Sequence, residues 1–384
     1  MIPLSVPSIS GNEWRYIKEC LDTEWVSSAG KYVDLFEEKI TDYTESKYAI
    51  ACANGTSALQ VSLRLVGVKR NCEVIVPTIT FIAPINVVRY LGAEPLFMDA
   101  DDYYNIDIEK TIDFIKNETK FENGYTLNKH TLRHINAIIP VNVFGNAVNL
   151  EPLLDICRER NIKIVEDATE SLGTRYNYGQ LTGKHCGTIG ELGCLSFNGN
   201  KMITTGGGGM ILTDDKSLAE RAKYLTTQAK DDPIRYIHND VGYNFRMTNI
   251  QAAMGVAQLE QLPGFLEKKR NNYQIYRERI DEIPGLRIAD VPDYADNNCW
   301  MVAMQVDKEI YSKDREQMMK YLADNKIESR PVWYLNHSQK PYEDCMTYKI
   351  EKADILLNQT LNIPNSVNIT KEEVNTVIGV LANA

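Results

Sequence analysis

The chain has 384 residues, room for one large domain plus a smaller one or for two comparable ones, and its 43% hydrophobic and 24% charged residues exclude a disordered or fibrous protein. A formal net charge of −10, with no stretch that concentrates Lys or Arg, excludes the footprint of a nucleic-acid or anionic-membrane binder, so any anionic ligand must be held by a local site. The start, MIPLSVPSISGNEW, lacks a basic segment followed by a long apolar run, and no later run approaches the roughly 20 apolar residues that cross a bilayer, so a cytoplasmic protein is expected.

Between residues 48 and 215 short β-rich runs recur, each closed by a polar or glycine turn: YAIACANGT, EVIVPTIT, AEPLFMDAD, INAIIPVNVFGN, IKIVEDATE, GCLSFNGN and GGMILTDD. Helical patterns such as the amphipathic NLEPLLDICRERN separate most of them. This alternation predicts an α/β fold with a mostly parallel sheet, whose ligands gather at the C-terminal ends of the strands. Asn54 to Ser57, Thr80, Asn142, Asp167 and Ser196 follow such strands and are candidates before any motif is considered. Residues 116 to 134, KNETKFENGYTLNKHTLRH, are polar and aperiodic and read as a surface insertion. After about residue 245 a long helical stretch leads into strand-like LRIADV and CWMVAMQVD and then a helix-rich end. The expected organisation is a large α/β domain over 1–245 and a small α+β domain over 246–384.

Eight scattered cysteines without a CxxC spacing, in a chain too large to need disulfide staples, read as reduced and mostly packed thiols. The five histidines point to no metal site, and none is expected.

The most informative segment is SFNGNKMITTGGGG, from Ser196 to Gly209, where a strand breaks into small polar residues, presents Lys201 and runs into four glycines. The spacing is neither that of a P-loop nor GxGxxG opening a helix, so nucleoside triphosphate and dinucleotide binding find little support. Lys201 alone would be a solvated surface lysine. The strand IKIVEDATE, however, places Asp167 at a parallel strand's ligand end, 34 residues earlier. Alone it could cap a helix; with a lysine in a glycine-framed turn it matches what pyridoxal phosphate needs, an amine for a Schiff base and a carboxylate that keeps the pyridine nitrogen protonated. ANGTSAL supplies a phosphate cradle: Gly55 permits a tight turn after a strand, and Thr56 and Ser57 open a helix whose free N–H groups bind a dianion without net positive charge. A capped helix without ligand is the plain alternative.

On these residues the chain resembles the DegT/DnrJ-type nucleotide-sugar aminotransferases, a branch of the fold-type I pyridoxal-phosphate enzymes. The resemblance runs over nearly the whole chain through WVSSAGKYVDLFE, NGTSAL, VPTITFIAP, VEDATESLG, SFNGNK, TTGGGGM, GYNFRMTNIQAA and RPVWYLNH, in that order. It implies that Lys201 carries the cofactor and Asp167 pairs with its ring nitrogen, and that Phe81 stacks on the ring. Glu170 falls where the family usually has Gln or His against the phenolic oxygen, a departure from the commonest pattern. Ser196 joins Gly55, Thr56 and Ser57 around the phosphate, and Asn244 is the phosphate contact given by a neighbouring subunit, which implies a homodimer with shared sites. Trp25, Ser27, Ser28 and His337 match substrate-facing loops; taken singly they are a packed tryptophan, capping serines and a solvated histidine.

The implied reaction is ping-pong transamination from glutamate, through pyridoxamine phosphate, to a nucleotide-linked keto sugar. The wording of SFNGNK and WVSSAG most resembles the subgroup acting on UDP-linked 4-keto-6-deoxy-N-acetylglucosamine, in legionaminic acid or bacillosamine-type glycan biosynthesis. The alternatives are a sugar dehydratase, disfavoured because relatives of that kind have histidine where this chain has Lys201; a 3-aminotransferase on a dTDP-linked keto sugar; and a non-catalytic sensor, disfavoured because lysine, aspartate and cradle are all intact.

Overall fold

The computed structural model describes residues 1–232 and 234–383. Its large sheet has ten strands, with the main order Tyr48–Cys52, Gly209–Thr213, Leu192–Ser196, Lys163–Asp167, His134–Ile138, Cys72–Pro77, Glu94–Met98 and Thr347–Tyr348. Along this order every pairing is parallel except the two made by Gly209–Thr213, which runs antiparallel to both neighbours. The fold is thus the mixed, mostly parallel α/β architecture that the alternation predicts. Central strands are buried: all six residues of Cys72–Pro77 are enclosed, Glu73 among them, because helices cover both faces of the sheet.

A second, four-stranded antiparallel sheet orders Leu286–Ile288, Val302–Val306, Thr360–Ile363 and Arg330–Pro331. Helices Arg315–Asp324 and Lys371–Ala382 accompany it, each opened by a capping box, Asp314 with Gln317 and Thr370 with Glu373. The 32-residue helix Asn249–Ile280, also started by a capping box, serves both cores. Its first half gives Ala252, Val256 and Leu262 to the large core and its second half gives Tyr273, Tyr276 and Ile280 to the small one.

The segment 116–134 is more ordered than its polar, aperiodic sequence suggests. Thr119–Glu122 and Tyr125–Asn128 form an antiparallel hairpin whose second strand touches the sheet through Leu127 and His134. The turn is Asn123-Gly124, both at positive φ, which is the two-residue hairpin signal. No alternation marks these strands because most of the hairpin stands in solvent. All eight cysteines are free, and only Cys345 is not fully buried.

Candidate active site

A cavity of about 360 Å³ opens at the C-terminal ends of the parallel strands, with Gly55, Thr80, Phe81, Asp167, Glu170, Ser196 and Lys201 in its wall. Each comes from the last residue of a strand or from the segment that follows one, which is why residues distant in sequence converge here. Helix Gly55–Leu65 begins at the cavity, its N-cap Asn54 accepting the Ser57 N–H at 2.8 Å. The N–H groups of Gly55 and Thr56 have no intrahelical acceptor and point the positive end of the helix at the same space.

The last glycine of the run has a packing cause. Gly209 pairs with Cys52 on one side and Ser196 on the other, and a Cβ there would lie 2.4 Å from the Asn54 carbonyl carbon. Its bare backbone lets the antiparallel strand pass against the cradle and sets Ser196 beside Gly55. Gly55 is equally confined, since a Cβ would meet the Ser196 Cβ at 2.9 Å and the Thr169 Cγ2 at 3.1 Å.

Asp167 ends its strand almost fully buried, its Oδ1 accepting the Thr169 N–H at 3.1 Å. Burial pushes its carboxyl above the usual carboxylate range, against the pull of Thr169 and of the Lys201 charge. It makes no ion pair among the described residues. Glu170 is also buried; Oε1 accepts from Lys201 Nζ at 3.3 Å and Oε2 accepts the Phe144 N–H at 2.9 Å. Burial raises its carboxyl too, outweighing the nearby Lys201 charge.

Lys201 thus leaves its turn toward Glu170, and its Nζ lies 4.2 Å from the centroid of the Trp300 ring. Trp300 and Trp333, both in the cavity wall, come from the second half of the chain and were not among the expected residues. Trp333 stacks on Phe144 with centroids 5.2 Å apart. Trp300 sits directly before a β-strand in CWMVAMQVD, where a tryptophan reads as core; the two buried asparagines before it, Asn297 and Asn298, are the local hint of something else.

The remaining expected residues lie elsewhere in the single chain. Ser57 is buried beneath the cradle, with its N–H used by Asn54. Asn244 is exposed, its Oδ1 accepting from Arg246 Nε and Nη2 at 3.2 Å, outside the cavity. Trp25, Ser27 and Ser28 run along the start of the long helix, where the Trp25 carbonyl accepts from Asn249 Nδ2 at 2.7 Å and the Ser27 carbonyl from the Asn249 N–H at 2.6 Å. His337 is 2.6 Å from Thr78 Oγ1, and burial lowers its basicity. The strand-end residue Asn142 is buried, accepting the Val148 N–H at 3.0 Å.

This donor set fits pyridoxal phosphate. A buried carboxylate without a cation is costly, and a protonated ring nitrogen would supply the missing charge at Asp167. The Gly55–Thr56 cradle suits a phosphate, Lys201 offers an enclosed primary amine, and the Phe81 ring, 53% exposed, offers a flat face at the rim.

The sequence profile of the DegT/DnrJ/EryC1/StrS aminotransferase family matches residues 7–382. The chain is 35% identical over 377 residues to the GDP-perosamine synthase of Escherichia coli O157:H7, covering 97% of this chain and 95% of that protein. It is 36% identical over 383 residues to the GDP-perosamine synthase of Caulobacter vibrioides, covering 99% and 97%. A DegT DnrJ EryC1 StrS aminotransferase from Brucella abortus, known from its crystal structure, superposes with a TM-score of 0.85 at 25% identity, over 97% of this chain and 95% of that one. Among the described residues no helix is long and apolar enough to cross a membrane. With the match running almost end to end, the chain belongs to the DegT/DnrJ/EryC1/StrS aminotransferase family and is a pyridoxal-phosphate-dependent aminotransferase.

Proposed function

We propose that the protein transfers the amino group of glutamate to the keto carbon of a 4-keto-6-deoxy sugar carried on a nucleoside diphosphate. The observation that carries this reading is the convergence of Lys201, Asp167, Glu170 and the Gly55–Thr56 cradle on one cavity. Gly55, Thr56 and Ser196 would hold the cofactor's phosphate, Asp167 its ring nitrogen and Phe81 its face. When bound, pyridoxal phosphate supplies an electron sink that acidifies the α-hydrogen of an amino acid and carries nitrogen between two substrates.

The chain's own part is proton handling and placement. Lys201 Nζ, once free, is the base for the donor's α-proton, and in the second half-reaction it handles the proton at the sugar carbon that receives nitrogen. Glu170 holds that amine on one side of the cavity, and the Phe144 N–H keeps the carboxylate from turning away. Trp300 and Trp333 line the same cavity and would exclude water from it. Because Asn244 lies outside its own chain's cavity, its phosphate contact would require a second copy, and we propose a homodimer.

Two relatives of this chain are named for a GDP-linked amino sugar, which supports a GDP-linked substrate. The UDP-linked N-acetylglucosamine derivative expected from the sequence wording is the alternative. The test incubates the enzyme with glutamate and GDP-, UDP- and dTDP-linked 4-keto-6-deoxy sugars and identifies products by mass spectrometry and NMR. A 4-amino sugar, formed by the wild type and lost in Lys201→Ala, is the expected result. No amination of any of them, or turnover that survives Lys201→Ala, would overturn the reading.

A further inference from the structure

Lysine has four rotatable side-chain bonds, and one 3.3 Å contact to Glu170 does not by itself fix the position of the Lys201 amine. A second surface does so: the Trp300 ring, 4.2 Å away and on a residue only 2% exposed. We propose that Trp300 is the wall that fixes the Lys201 amine against Glu170, and that Asn298 and Lys269 are positioning residues that set Trp300 in place. The inference rests on Lys201 being the reactive amine of the reading above.

Trp300 is tied down at three points. Its indole Nε1 donates to the carbonyl of Asn200 at 2.6 Å, so the ring is registered against the turn that carries Lys201. Its backbone N–H donates to Asn298 Oδ1 at 2.9 Å, and its carbonyl accepts from Lys269 Nζ at 2.9 Å. Asn298 is fully buried, and its Nδ2 donates to the carbonyls of Glu170 at 2.8 Å and Leu172 at 3.0 Å. One amide group therefore sets Trp300 relative to the backbone of the other residue that touches the amine. Between them Cys299 takes φ +52°, a left-handed conformation that a non-glycine side chain adopts only when its surroundings impose it.

Lys269 makes the point more sharply. It is buried on the long helix and makes no ion pair among the described residues; its amine donates to the carbonyls of Trp300 at 2.9 Å and Asn365 at 2.5 Å. Desolvation pushes its pKa down to about 7. A methionine of similar length would fill this space without the cost of a buried amine but would give up both hydrogen bonds, so what the lysine contributes is the tie between the Trp300 and Asn365 carbonyls. The charged groups facing Lys201 itself are Glu170 and Asp167.

The test compares Trp300→Phe, Trp300→Leu, Lys269→Met and the wild type in two states. In the cofactor-free protein, acetylation of Lys201 by a small anhydride is followed by mass spectrometry alongside thermal melting. In the holoenzyme, the glutamate half-reaction is followed by single-turnover absorbance. Trp300→Leu should label faster at Lys201 and slow the half-reaction about tenfold to a hundredfold, the scale of a misplaced reacting group, with KM for glutamate and cofactor affinity kept. Trp300→Phe should restore most of both properties, and Lys269→Met should shift both in the direction of Trp300→Leu. Unchanged labelling and rate in Trp300→Leu, or cofactor affinity falling in step with melting temperature in all variants, would overturn the proposal. If Trp300→Leu does not fold, Lys269→Met carries the same two outcomes. Absence of glutamate turnover in the wild type would count against the functional reading, while the labelling of Lys201 would still decide the positioning.

Discussion

Lys201 and Glu170 meet at 3.3 Å with side-chain exposures of only 13% and 4%, so the pair lies largely out of water. A charge pair at this distance is screened far less than one at the surface. Its carboxylate is fixed in turn by the N–H of Phe144, a residue at φ +58°. Together with the Trp300 ring 4.2 Å from the amine, this contact confines a group that must move a proton between defined carbon atoms.

Asp167 supplies the clearest trade between stability and activity. Its folded-state carboxyl is raised above the unfolded value by burial, so its ionisation lowers stability as pH rises through that folded value. We predict that Asp167→Asn raises the melting temperature of the cofactor-free protein at neutral pH and has little effect at the acid end. The same variant should lose turnover by about a hundredfold or more, since the ring nitrogen no longer faces a charge that keeps it protonated. Melting curves without cofactor, set beside steady-state rates with it, check both halves.

Gly55→Ala tests the cradle. The added methyl would press on the Cβ of Ser196 and the Cγ2 of Thr169 at 2.9 and 3.1 Å. Ser196 ends a sheet strand, so its Cβ cannot swing aside as a long side chain would. Overpacking of this kind costs about 1–3 kcal/mol. We expect weaker cofactor binding by about tenfold or more, corresponding to 1.4 kcal/mol or above, with the fold retained. Fluorescence titration of the cofactor-free protein with pyridoxal phosphate measures it.

Lys269 gives a pH signature in the folded protein. Burial pushes its pKa down to about 7 from the ordinary lysine value of 10.5, so between these limits the unfolded chain binds one more proton than the folded one. Stability from this residue therefore rises with pH across that window and is lowest below it. Lys269→Met removes the slope: the difference in melting temperature between variant and wild type should shrink or change sign from pH 6.5 to pH 9 if the variant begins as the more stable protein. A constant difference across that range would refute the assignment.

Much of the site is legible in the sequence because its elements are local. A strand ending in Asp167, a turn presenting Lys201 and a glycine opening a helix at Gly55 are each written within a few residues. The α/β alternation then places all of them at one sheet end, and the family profile over residues 7–382 bears out the resemblance. The hairpin at 119–128 was written just as locally, in Asn123-Gly124, but its solvated strands carry no alternation by which to see it.

The order of residues along the chain was enough to point to the cofactor, because an amine, a carboxylate and an anion cradle each stand where a strand ends. How the amine is held is visible only once the chain has folded. Trp300 and Trp333 reach the cavity from beyond the long helix, Glu170 is fixed by Phe144, and Lys269 grips the Trp300 carbonyl. None of these contacts has a period or spacing along the chain, because each joins segments distant in sequence that meet only in the packed core. Ser57, Asn244, Trp25, Ser27, Ser28 and His337 are read from motif position, and within one chain they lie outside the wall of this cavity, because the path of the backbone through three dimensions decides which side chains meet there.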